Sequence, residues 1–176
     1  MVLRIATALL ASAFLAACGT SSKGAASNAG GAQTDHTMAR EGQPAPAWTE
    51  PTASGAELSL ASLRGDAVYL NFFATWCPPC NEEAPAIEKL QRRYFKDGLR
   101  VVGVDELENA ARARQFVKDH GLTYPAVVDS GDLRDQYNVN GLPVHVFIDR
   151  TGVVQKIVVG EMQPDEIRTN LLAILH

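Results

Sequence analysis

Leu70-Asn71-Phe72-Phe73-Ala74-Thr75-Trp76-Cys77-Pro78-Pro79-Cys80 is the stretch on which the reading of this chain turns. It continues a nearly unbroken apolar run that begins at Ala67, the pattern of a strand buried on both faces. Beyond it, Asn81 to Phe95 carries Ile87, Leu90, Tyr94 and Phe95 at helical spacing, with charges between them. Two cysteines three residues apart therefore stand where a buried strand hands over to a helix. The thiolate is the reactive form of cysteine, and a helix N-terminus stabilises it with unpaired N–H groups and the positive end of a dipole. Cys77 lies just ahead of the helix, and Cys80 lies inside its first turn, close enough for a small-ring disulfide. Proline is tolerated between them because first-turn N–H groups have no partner within the helix. The pair can cycle between dithiol and disulfide without moving the fold.

Outward from this point, strands and helices alternate. Arg100 to Val104 reads as a second buried strand, and Asn109 to His120 as a polar helix closed by Gly121. Tyr124 to Val128 is a short strand, Leu133 to Tyr137 a helical turn, and Val144 to Ile148 a strand. Val153 to Val159 follows the turn Asp149-Arg150-Thr151-Gly152, and Pro164 opens a last helix with Ile167, Leu171, Leu172 and Leu175 on one face. Ahead of the quoted stretch, Leu58-Ser59-Leu60 alternates as a strand does. This order predicts an α/β sandwich with a mainly parallel centre.

The N-terminal part has a different character. Arg4 precedes an uncharged, mostly apolar stretch from Ile5 to Ala17, the plan of an export signal. Leu15-Ala16-Ala17-Cys18 resembles the lipobox of bacterial lipoproteins. That resemblance implies a signal peptide over 1–17, with Cys18 as the lipidated mature N-terminus. Residues 19–44 are rich in Gly, Ala, Ser and Thr, and Met38 is their one large apolar side chain. Such a segment cannot offset its ordering entropy by burial. It is expected to be a flexible tether reaching roughly 25–30 Å, with His36 solvated on it. The domain expectation is thus 18–44 as lipidated cysteine and tether, and 45–176 as the folded domain.

At this point the chain resembles thioredoxin-like thiol–disulfide oxidoreductases, in particular the exported, membrane-tethered TlpA/ResA/CcmG group. The residues that carry the likeness are the opening stretch, Glu83-Ala84-Pro85, Val101-Val102-Gly103-Val104-Asp105 and Gly141-Leu142-Pro143. The resemblance implies a thioredoxin fold, a central mixed sheet flanked by helices, with an N-terminal strand extension. The surplus from Glu106 to Val128 matches that group's central strand–helix insertion. It also implies that Cys77 attacks and reacts first, that Cys80 is buried and resolves, and that the two form a redox-active disulfide. Pro143 matches a cis-proline beside that disulfide, Pro85 a proline that kinks the helix, and Trp76 an aromatic covering the site. Asn71 stands where cytosolic thioredoxins carry a buried proton-relay Asp. An amide cannot relay protons, so Glu83, one helical turn past Cys80, is the candidate for that role. The plainer reading makes Glu83 a surface charge favouring the helix dipole.

The function implied is reduction of disulfides in envelope client proteins, for example in cytochrome c maturation. A membrane electron donor of the DsbD/CcdA type would restore the dithiol. The protein is expected to be a monomer without cofactor on the periplasmic face of a bacterial envelope, lipid-anchored. Gly19 after the lipid cysteine leans toward the outer membrane. Two alternatives come from other chemistry. His145 with Cys77 and Cys80 offers donors suited to copper or zinc, which would make a copper-binding assembly factor; a histidine hydrogen-bonded in place is the plainer account. Thiol peroxidases share the fold, but their signature Thr or Ser and Pro fall at Ala74 and Leu70 here. With 16 basic and 20 acidic residues the net charge is −4, which gives no basic footprint for nucleic acid.

Overall fold

All seven residues of Ala67–Phe73 are buried, and this strand, β3, is the middle of a five-stranded sheet. The computed structural model describes residues 38–176. The expected signal peptide, Cys18 and the tether as far as residue 37 lie outside the described residues. Before β3 come β1 (Thr49–Pro51) and β2 (Glu57–Ser59), an antiparallel ribbon of their own. After it come α1 (Pro78–Tyr94), β4 (Leu99–Glu106), α2 (Ala110–Asp119) and β5 (Ala126–Asp129). The chain finishes with α3 (Asp132–Gln136), β6 (Val144–Ile148), β7 (Val154–Val159) and α4 (Pro164–Ile174). The sheet order is β5-β4-β3-β6-β7, with β3, β4 and β5 parallel and β6 and β7 antiparallel. This is the mixed α/β sheet expected, with α2–β5 extending it beyond β4.

Strand alternation sends successive β3 side chains to opposite layers. Ala67, Tyr69 and Phe73 pack with Ile87 of α1, Phe116 of α2 and Leu171 of α4. Val68, Leu70 and Phe72 pack with Leu133 of α3, Tyr137, Val146 and Trp48. Covering on both faces explains why the strand reads as continuously apolar. Gly103 is required by close approach: a Cβ there would lie 2.9 Å from the Phe73 ring.

Two boundaries differ from the sequence reading. The start of α1 is not one of them: with Cys77 ahead of the helix and Cys80 in its first turn, Pro78 and Pro79 fill its first positions with pre-set φ and no N–H to satisfy. Leu60 leaves the expected strand for a 3-10 turn, Leu60–Leu63, whose N-cap Ser59 accepts from the Ser62 N–H. The tether expected to run to Pro44 is corrected at its C-terminal end. Ala39 N–H donates to the Gln136 carbonyl, Gly42 N–H to Val154, and Ala45 N–H to Gly152. Glu41 accepts from the Ile157 N–H at 2.9 Å and pairs with Lys156 at 3.2 Å. Residues 39–45 thus form a strap along the β7 edge, held by backbone bonds that composition does not reveal.

Candidate active site

The turn from β3 into α1 is built largely from backbone capping. Cys77 is the N-cap of α1, and its Sγ accepts a hydrogen bond from the Cys80 N–H at 3.3 Å. Cys77 and Cys80 are joined by a disulfide, their Cα atoms 5.3 Å apart. Both cysteines are 2% exposed, so burial does not single out Cys80 as the sequence suggested. What separates them is position: Cys77 faces the free N–H groups of the first turn, and Cys80 lies within it. Asn81 Nδ2 donates to the carbonyls of Thr75 and Cys77, and its Oδ1 lies 3.0 Å from His120 Nε2.

Pro143 is buried, and the Leu142–Pro143 peptide is cis, as the resemblance implied. Trp76 is 70% exposed and so is not a core residue. With Leu142, Leu107, Val139, Asn140 and the Glu106–Arg134 ion pair it lines a groove of about 270 Å³. The residues that precede Cys77 and Pro143 in sequence thus share one apolar recess. Leu107 has φ 52 and is 56% exposed, a left-handed and solvent-facing leucine on the rim.

Glu83 is buried, which removes the surface-charge reading. Its Oε1 accepts from the Met162 N–H, and its Oε2 has no hydrogen-bond partner among the described residues. Burial, opposed by the Met162 bond and reinforced by Glu161, pushes its carboxyl up to about 7. Asn71 is buried in register with His145 across β3 and β6, its Nδ2 3.5 Å from His145 Nδ1.

His145 is buried, with Nδ1 2.7 Å from the Tyr69 hydroxyl and Nε2 3.1 Å from the Gly160 carbonyl. It is committed to neighbours other than the cysteines. Among the described residues no three His, Cys, Asp or Glu side chains are grouped to hold a metal ion. The copper reading therefore finds no assembled donor set.

Two acidic residues were not singled out from sequence. Glu108 accepts from both the N–H and the hydroxyl of Thr75, at 2.6 and 2.7 Å, and so fastens the loop that carries Trp76 and Cys77. Burial would raise its carboxyl, but the Thr75 bonds hold it below the usual range. Asp105, paired with Phe73 in the sheet, is fully buried. Burial, then the adjacent Glu108, pushes it up to about 8, so it carries a proton at neutral pH. A charged residue ending an apolar strand was the available signal; its partner, three residues on in a loop, follows no period.

Comparison with known proteins places this arrangement. The AhpC/TSA family profile matches residues 41–157. The chain belongs to the AhpC/TSA family. This AhpC/TSA chain is 40% identical over 135 residues to thioredoxin-like protein YneN of Bacillus subtilis, covering 75% of this chain and 79% of that one. It is 35% identical over 142 residues to thiol-disulfide oxidoreductase ResA of Geobacillus thermodenitrificans, covering 80% and 82%. The solved thiol:disulfide interchange protein of the thioredoxin family from Chlorobium tepidum superposes with a TM-score of 0.72 at 31% identity. That match spans 80% of this chain and all of the other. The protein is a thioredoxin-like thiol–disulfide oxidoreductase of the ResA/DsbE type. The peroxidase reading gains nothing from the family's breadth, because Ala74 and Leu70 are buried apolar residues without a hydroxyl.

Proposed function

We propose that this protein reduces disulfides in client proteins of the cell envelope, with apocytochrome c as one client class, through the Cys77–Cys80 dithiol. The observation that carries this reading is a Cys77–Cys80 disulfide at the N-terminus of α1, in a fold whose cis-proline loop and Trp76 border one groove. The Cys77 thiolate attacks a client disulfide, forming a mixed disulfide and releasing one client thiolate. Cys80 then gives its proton to Glu83 and attacks the Cys77 sulfur. The Cys77–Cys80 bond forms and the second client sulfur leaves, taking a proton. Two electrons pass from the dithiol to the client. A DsbD/CcdA-type membrane donor would return them.

Export and anchoring belong to the same proposal. Residues 1–17 act as signal peptide, Cys18 carries the lipid, and the following residues tether the domain at the periplasmic face. The hydrophobic stretch before Cys18 supports this. Cys18→Ser should move the protein from the membrane to the soluble or unprocessed fraction, since a diacyl anchor holds firmly.

The deciding measurement is the Cys77–Cys80 potential, read by equilibration with glutathione. A reductant lies toward the thioredoxin value of about −270 mV, whereas a value near the DsbA value of about −120 mV would mark an oxidant and overturn the proposal.

A further inference from the structure

We infer that His145 is a positioning residue that sets the proton affinity of Glu83, through an imidazole N–H that lies 3.6 Å from the unpartnered Glu83 oxygen and is oriented from behind by Tyr69. This rests on Glu83 serving as the base for Cys80.

The geometry decides the tautomer. His145 Nε2 faces the Gly160 carbonyl at 3.1 Å, and a carbonyl can only accept, so Nε2 carries the hydrogen. Nδ1 is then an acceptor, and the Tyr69 hydroxyl at 2.7 Å donates to it. Tyr69 and His145 stand on neighbouring strands with rings stacked at 11°, which holds the imidazole in this pose. The same Nε2–H lies 3.6 Å from Glu83 Oε2, just beyond hydrogen-bond distance. That oxygen is buried and has no other donor among the described residues.

While Glu83 holds its proton, the Nε2–H serves Gly160. When Glu83 takes on charge, a small turn of the ring shares the N–H with Oε2, beside the Met162 N–H already on Oε1. A buried carboxylate with donors on both oxygens is far less costly than one with a bare oxygen. The opposing group is Glu161, in the turn between β7 and α4, which favours the protonated form. Tyr69 from β3 is a neutral phenol, its proton held by burial and then by Glu83 and Tyr124. His145 stays neutral near pH 7, because burial pushes it down to about 4. It acts as a dipole, without adding a charge. Gly160 ties the device to the client side, since its N–H donates to the Pro143 carbonyl at 2.8 Å.

The test titrates Glu83 itself in the full-length protein. Glutamate is labelled with ¹³C at Cδ, and the resonance lost in Glu83→Gln identifies Glu83. His145→Phe keeps the ring but removes the donor, and should raise the Glu83 midpoint by about one unit. Client release at pH 7 should slow about fivefold, because the basic form becomes scarcer. His145→Gln, whose amide restores an N–H, should recover most of the shift. Tyr69→Phe leaves His145 in place and should give a smaller rise, which keeps the test open if His145→Phe does not fold. An unchanged Glu83 midpoint in the folded variants overturns the inference. A midpoint that moves while client release stays constant keeps the His145 coupling and removes Glu83 from the reaction.

Discussion

Cys80→Ser should trap clients as mixed disulfides on Cys77, and Cys77→Ser should trap few. The intermediate normally decays by attack from a thiol that α1 holds at high effective concentration, and serine cannot displace sulfur. Non-reducing gels of envelope extracts probed for each variant decide this; equal trapping by both would reverse the roles. Trp76 invites a second test, because a 70% exposed tryptophan on a groove rim is a contact surface in search of a partner. Trp76→Ala should raise KM for a disulfide-bonded client protein severalfold. It should leave the reaction with a small disulfide nearly unchanged, since the capping of Cys77 does not involve the indole. Identical losses on both substrates would assign Trp76 to the reacting centre instead.

At the scale of elements, the site depends on how β3 and α1 are held. Glu88, buried on α1, accepts from the N–H and hydroxyl of Thr123 and pairs with Arg92, so the helix is fastened to the segment leading into β5. Gly103 on β4 leaves room for Phe73, whose ring stacks on Phe116 at 4.2 Å just before the active-site turn. Gly103→Ala should cost about 1–3 kcal/mol by overpacking. Urea unfolding measures this, and a neutral result would mean that Phe73 has space to retreat. Asn109, whose Oδ1 accepts from the Ala111 and Arg112 N–H groups, gives a milder case. Asn109→Ala should cost about 1 kcal/mol as a lost N-cap, without changing the reaction of the cysteines.

For the whole molecule, proton uptake sets the slope of stability with pH. Burial is the main cause that pushes Glu50, Glu83 and Glu106 up to about 7 and Asp105 up to about 8. In the unfolded chain carboxyls lose their protons near pH ~4, so the folded protein binds more protons from there to about 8. Stability from these groups is full at low pH and is lost as pH rises through their folded values. His145 works the other way, but only between its folded value of about 4 and an unfolded value near ~6.5. Above that the carboxyls set the direction, and Tm should fall between about pH 6.5 and 8.5. Asp105→Asn should flatten the decline. A Tm that climbs across this window would contradict the protonation assigned to these residues. Arg150 has a purely structural part here: its guanidinium donates to the carbonyls of Gly65, Asp97 and Leu175, which joins three distant loops.

The local signals in the sequence were those that depend on neighbours along the chain. The apolar run into β3, the helical spacing of Ile87, Leu90 and Tyr94, and Cys77-Pro78-Pro79-Cys80 between them determined the α/β order and the place of the redox pair. They could do so because strand burial, helix amphipathicity and capping act within a few residues. The cis state of the Leu142–Pro143 bond was legible only by resemblance. Tertiary structure alone decided the rest. Thr49-Glu50-Pro51 has no strand pattern, and it is a strand because β2 offers it partners. Residues 39–45 have the composition of a tether, and they are ordered by carbonyls and N–H groups of Gln136, Gly152 and Val154. His145 and Glu83 stand 62 residues apart in sequence and 3.6 Å apart in space. Which buried oxygen lacks a donor, and which N–H can reach it, depends on groups brought together from β3, α1, β6 and the turn at Gly160, a meeting that no periodicity along the chain encodes.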